Sequence, residues 1–103
     1  MWNLRYGFTP THPGEVLKDE IEYRGISQQL LAKQMGMSYK ALNDILNQRR
    51  PLTPTTAMLF EAALGISAGL IMRLQLKYNM QAVSHDKKLA SRLGEIRKAC
   101  AVL

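Results

Sequence analysis

Residues 27–50, SQQLLAKQMGMSYKALNDILNQRR, constrain the fold more than any other part of the chain. Two short runs of helical periodicity lie on either side of Gly36, and only a tight turn fits between them. Ser27 caps the first run, residues 28–35, and Ser38 caps the second, residues 39 to about 47. A serine hydroxyl at such a position accepts from a free amide in the helix's first turn. Gly36 tolerates the left-handed backbone that closes the first run. Ala32, four residues earlier, is small enough to let the second helix come close. Met37, Leu42 and Ile45 then point back at Leu31, Ala32 and Met35, and Ala41, Leu42, Ile45 and Leu46 form the second run's inner face. Two helices joined in this way form a helix-turn-helix.

The same punctuation organises the rest of the chain. A preceding helix starts at Pro13, where proline's missing N–H costs nothing. Glu15 in its first turn suits the helix dipole. Val16, Leu17 and Ile21 form its apolar face, and Gly25 ends it. In the run after Ser27, Leu30 joins Leu31, Ala32 and Met35 as apolar. Thr53-Pro54 opens a fourth helix, with Ala57, Met58, Phe60, Ala63 and Leu64 apolar, and Gly65 stops it. Ser67 caps a fifth helix to about residue 82, and a sixth runs from about 86 to 100. Trp2, Leu4, Tyr6 and Phe8 alternate with other residues at the N-terminus. They read as an arm, because a single strand has nothing to pair with. The expected organisation is an N-terminal arm (1–11), a helix-turn-helix domain (12–82) and a C-terminal basic helix (83–103). The fold class is all-α, five to six helices, and 103 residues fit one domain.

Charge is the next constraint. The net charge is +6, which makes a polyanion a plausible partner. The excess is segregated. Residues 25–50 hold Lys33, Lys40, Arg49 and Arg50 against Asp44, a balance of +3. Residues 12–23 hold Lys18 against Glu15, Asp19, Glu20 and Glu22, a balance of −3. The third helix and the loop after it therefore form the basic edge. Tyr39, Lys40 and Asn43 face outward there, with side chains suited to base edges in a major groove. Ser27, Gln28, Ser38, Asn47, Arg49 and Arg50 are placed for phosphates, the first two at a helix N-terminus, where free amides favour an anion.

Other chemistries find little support. The lone Cys100 forms no intrachain disulfide, so a stapled secreted scaffold is excluded. No apolar run reaches the ~18–20 residues of a membrane span. The N-terminus does not read as a signal peptide, so a cytoplasmic protein is expected. His12, His85 and Cys100 lack metal-ligand spacing. No nucleophile arrangement and no glycine-rich phosphate loop is present, and the reading is of a non-enzyme without cofactor.

The fifth and sixth helices carry more apolar surface than a small body needs. Leu70, Leu74 and Tyr78 share one stripe of the fifth helix, and Met72, Leu76 and Met80 another, about 160° away at 100° per residue. A helix apolar on two faces is covered on both. Leu89, Leu93, Ile96 and Cys100 form a narrow seam on the sixth helix, among five cations. Met72, Leu76, Met80, Leu89, Leu93 and Ile96 are the expected dimer or partner surface. The alternative is that the N-terminal arm covers the fifth helix within one chain.

Several stretches together resemble a known family. They are His12-Pro13-Gly14-Glu15-Val16-Leu17, Gly25-Ile26-Ser27-Gln28, Leu31-Ala32, Gly36-Met37-Ser38, Leu46-Asn47, Arg50-Pro51-Leu52-Thr53-Pro54 and Ala63-Leu64-Gly65. The chain looks like an Xre/Cro-type helix-turn-helix protein, and more narrowly like the HigA-type, VapI-like antitoxins of toxin–antitoxin operons. After Ser67 it departs from that pattern, with Ala68-Gly69-Leu70-Ile71-Met72 in place of a proline, an acidic residue and aromatics. The resemblance implies a lambda-repressor-like fold and a homodimer on an inverted-repeat operator in double-stranded DNA. It also implies repression of the protein's own operon and neutralisation of a RelE-like messenger-RNA-cleaving toxin. A free-standing Xre-type repressor and a protein-interaction module that no longer binds DNA are the rival readings.

Overall fold

The structure is a computed structural model, and it describes residues 11–103. Those residues form six helices and no strand: α1 (Pro13–Tyr23), α2 (Gln28–Met35), α3 (Tyr39–Leu46), α4 (Pro54–Leu64), α5 (Ala68–Ser84) and α6 (Lys87–Cys100). Residues 1–10, which hold all the aromatics of the expected arm, lie outside the described residues. No helix among the described residues is long and apolar enough to cross a membrane.

Each helix starts on a side-chain cap. The Ser27, Ser38, Thr53 and Ser67 hydroxyls and the Asp86 carboxylate accept from amides in the following turn. His12 caps α1, its Nδ1 accepting from the Gly14 amide at 2.9 Å. The bond fixes Nδ1 as an acceptor, and burial pushes the imidazole's pKa below its ordinary value, against a weaker opposing pull from Glu15. The ring also packs edge-on against Tyr78 of α5, with centroids 4.8 Å apart. After α1, Gly25 takes a positive φ of 67°, and the Ile26 amide returns to the Ile21 carbonyl at 3.0 Å. Gly36 repeats this after α2, with φ 71° and the Met37 amide bonded to the Ala32 carbonyl at 3.0 Å. Both ends are closed in the Schellman manner.

The core is one cluster centred on Phe60, Leu17, Ile21, Leu42, Ile45, Leu46 and Ile71. Around it α1 packs on α3 and α5, α2 on α3 and α4, and α4 on α5. Three polar ties set the helix ends. Arg24 donates to the Leu64 carbonyl at the end of α4, at 2.9 Å, and pairs with Glu20 at 2.6 Å. The Glu61 carboxylate accepts from the Ala68 amide at 3.0 Å, at the start of α5. Gln75, buried on α5, accepts from the Leu52 amide at 2.7 Å and donates to Asn79 at 2.9 Å.

Some sequence expectations are corrected. Val16, Leu30, Met58 and Ala63 are exposed rather than in the core. The buried stripe of α5 runs through Ala68, Ile71 and Gln75, between the two stripes expected. Leu74 and Tyr78 are half-buried beside it, while Leu70 is exposed. Met72 is half-buried against the core, whereas Leu76 and Met80 are both 60% exposed. A hundred-degree wheel cannot tell which of two apolar stripes turns inward when a glutamine between them has a buried amide to satisfy. Helix α5 ends at Ser84, two residues beyond the end expected at about residue 82.

Helix α6 packs on α5 and has no buried residue. Leu89 is half-buried, and Leu93 and Ile96 are exposed. The α5–α6 pair lengthens the molecule to 57 × 31 × 21 Å, with a radius of gyration of 17.5 Å. A compact chain of about 100 residues would have roughly 13 Å.

Gly14 is the most crowded of the glycines among the described residues. A Cβ there would overlap the Ile45 carbonyl oxygen, a backbone atom that cannot swing away. Gly14→Ala is therefore expected to destabilise the chain by about 1–3 kcal/mol, the usual range for overpacking. Urea unfolding followed by circular dichroism measures this. Gly94→Ala is the control: its added Cβ meets nothing within 4 Å.

Candidate nucleic-acid interface

The tight turn at Gly36 holds α2 behind α3, so the start of α3 is carried outward on a buried base. Leu42, Ile45 and Leu46 anchor α3 in the core. Tyr39 is 46% exposed, and the Lys40 side chain is 81% exposed. The Ser27 and Ser38 oxygens accept from the Leu30 and Ala41 amides at 3.3 and 3.0 Å. Their hydroxyl protons stay available to an outside acceptor.

The loop after α3 turns back on the helix. Gln48 has a φ of 64°, unusual for a residue with a side chain. The reversal costs roughly 1–2 kcal/mol in a non-glycine residue. It lets the Arg49 amide reach the Asp44 carbonyl at 2.7 Å. The Arg49 side chain folds the same way, its Nε donating to Asp44 Oδ1 at 3.1 Å.

Asp44 is the centre of this face. Its side chain is only 11% exposed and meets three cations: Lys40 at 3.2 Å, Arg49 at 3.1 Å and Arg50 at 3.7 Å. The Lys40 hydrogen bond, opposed by desolvation and helped by Arg49, holds the carboxyl below its ordinary value. Sequence reasoning counted Asp44 as one opposing charge and missed its position. The four-residue spacing from Lys40 was the available signal.

The remaining expected contacts form a chain of amides. Asn43 Oδ1 accepts from Arg49 Nη2 at 2.7 Å, and Asn43 Nδ2 donates to Gln28 at a long 3.4 Å. Asn47 is committed differently: its Oδ1 accepts from Lys18 of α1 at 3.0 Å, and its Nδ2 donates to the Asn43 carbonyl at 2.9 Å. So Gln28, Lys40, Asn43, Arg49 and Arg50 are brought together, Ser27, Ser38 and Tyr39 stand at helix starts, and Asn47 faces α1. Helix α1, packed against α3, exposes Glu15, Asp19 and Glu22. The α3 end of this surface is the positive one and α1 the negative one, a contrast that suits a polyanion at α3.

A face of this build, with a recessed support helix and an outward, basic second helix, defines a helix-turn-helix protein. The chain belongs to the helix-turn-helix family, whose model matches residues 17–71, and its type is Xre. It is 31% identical over 78 residues to virulence-associated protein I of Dichelobacter nodosus, covering 75% of this chain and 72% of that one. The antitoxin HigA of Pseudomonas aeruginosa, solved with the higBA promoter, is 29% identical with a TM-score of 0.69, covering 86% of this chain and 92% of that one. An addiction module antidote protein of the HigA family from Coxiella burnetii is 26% identical with a TM-score of 0.67, covering 90% and 96%. The fold is the lambda-repressor-like one of helix-turn-helix antitoxins.

Asp44→Asn removes the shared counter-charge and keeps the shape. The ordinary carboxyl value is 3.8 and the folded-state value lies below it. The ion pairs therefore stabilise the fold above about pH 4, and that contribution disappears as pH falls through the folded-state value. The variant is expected to be less stable than the parent at pH 7, with the two curves converging in acid. Urea unfolding between pH 3 and pH 7 measures the difference.

Proposed function

We propose that this chain is a DNA-binding antitoxin of a type II toxin–antitoxin module, acting in the cytoplasm as a homodimer on an inverted-repeat operator. It represses its own operon and neutralises a RelE-like messenger-RNA-cleaving toxin. The observation that carries the DNA part is the α3 face, where Lys40, Arg49 and Arg50 gather around one carboxylate and leave a net positive edge on an outward helix. A relative of similar fold was solved with the higBA promoter, which supports a DNA-binding role. Tyr39, Lys40 and Asn43 meet base edges. Ser27, Gln28, Ser38, Asn47, Arg49 and Arg50 meet phosphates, Asn47 after exchanging Lys18 for the backbone.

One α3 reads too few base pairs for useful specificity, and a twofold dimer sets two such helices about one DNA turn apart. The apolar side of α5 and α6 that is exposed or half-buried among the described residues is the proposed dimer surface, through Met72, Leu76, Met80, Leu89, Leu93 and Ile96. Leu76 and Met80 remain largely exposed in the single chain, and α6 has no buried residue of its own. Met80→Glu with Leu93→Glu is expected to give a folded monomer by light scattering, since neither side chain is in the core. The toxin part follows the antitoxin names of the relatives.

Two measurements test these roles. In a mobility-shift titration on the upstream promoter, Arg49→Ala with Arg50→Ala is expected to make the slope of log K against log salt about 2 less steep, from two lost phosphates. An unchanged slope removes both phosphate assignments. Co-expression with the product of the adjacent reading frame is expected to give a co-purifying complex and to relieve that product's toxicity. Failure of both leaves a repressor without a toxin.

A further inference from the structure

We infer that Asn43 reads guanine rather than adenine, because Arg49, held by Asp44, occupies the carbonyl oxygen that adenine recognition needs. The inference rests on the DNA-binding reading above and deepens it to one base. Asparagine recognises adenine with both ends of its amide: Oδ1 accepts from N6–H2 while Nδ2 donates to N7. In this fold the acceptor end is taken. Arg49 Nη2 donates to Asn43 Oδ1 at 2.7 Å, a short charge-assisted bond. The guanidinium is itself fixed, its Nε on Asp44 Oδ1 at 3.1 Å. The Asp44 side chain is 11% exposed and the Arg49 side chain 59%, so the guanidinium is tied at its inner end and open to water at its outer one.

The donor end is freer. Asn43 Nδ2 has two protons, and its one contact is the 3.4 Å bond to Gln28 Oε1. That contact also opposes a flip of the amide. Oδ1 has a second lone pair, but an adenine amino group using it would bring its own N–H against a guanidinium cation, donor against donor. Guanine presents N7 and O6, both acceptors, to the same spot. The outward amide N–H2 and the neighbouring cation then both favour it. Arg49 is in this sense a positioning residue for Asn43, in addition to its attraction for phosphate.

The experiment is selection of binding sites by the full chain from a random double-stranded DNA library, followed by sequencing. Asn43→Ala identifies the position read by this side chain, as the one whose preference it erases. The parent is expected to select guanine there. Arg49→Lys keeps the charge and loses the fork, so it releases Oδ1. It is expected to shift that position toward adenine by roughly 5- to 150-fold, the range of one amide–base pair. A parent preference for adenine at that position overturns the inference. So does a guanine preference that survives Arg49→Lys. Failure of the parent to enrich any duplex instead overturns the DNA-binding reading, and this inference with it.

Discussion

The packing of the start of α1 against the end of α3 is the constraint on which the remainder of the molecule rests. Gly14 sits so close to the Ile45 carbonyl that no other residue type fits without displacement. His12 makes this contact directional. It caps α1 and, from the same ring, packs on Tyr78 of α5. Lys18, one turn further along α1, reaches Asn47 at the end of α3. Three elements distant in sequence are thus fixed at one corner, and α3 is held from behind. An outward helix can present a fixed set of side chains only when its inner end is immobile.

The recognition face is organised by a different force. Its residues are neither apolar nor tightly packed, and their order comes from one sheltered carboxylate. Asp44 gathers cations that would otherwise repel one another, and it does so with little exposure to water, where screening is weak. The strained backbone at Gln48 belongs to this arrangement, since it returns the chain to the helix it has just left. Backbone strain of this kind is commonly found where function fixes a geometry.

Most of the fold was legible in the sequence because its helix ends are marked locally. A serine or threonine, a proline at the first turn and a glycine at the last act over four residues, and α1 to α4 begin where those signals put them. Face assignment was poorer. The turn of α5 is decided by Gln75, whose partner Leu52 lies 23 residues away on a loop. No local periodicity reports such a bond. The site was legible as a list of cations and amides on an outward helix. Its internal wiring was not, because Asn43, Asp44 and Arg49 look independent until the Gln48 reversal brings them together.

Helix α6 has a different physical status from the other five. At 14 residues, with an aspartate cap, its main packing on α5 and no fully buried side chain, it is near the length at which an isolated helix is marginal. The free energy that opens it locally is accordingly far smaller than the one that unfolds the core. Local stability is therefore uneven along the chain, highest in the head and lowest in α6. A protease needs an extended segment of backbone, and α6 offers one without waiting for the head to melt. Whatever packs on α6 takes its exposed seam out of water and raises the free energy of that local opening.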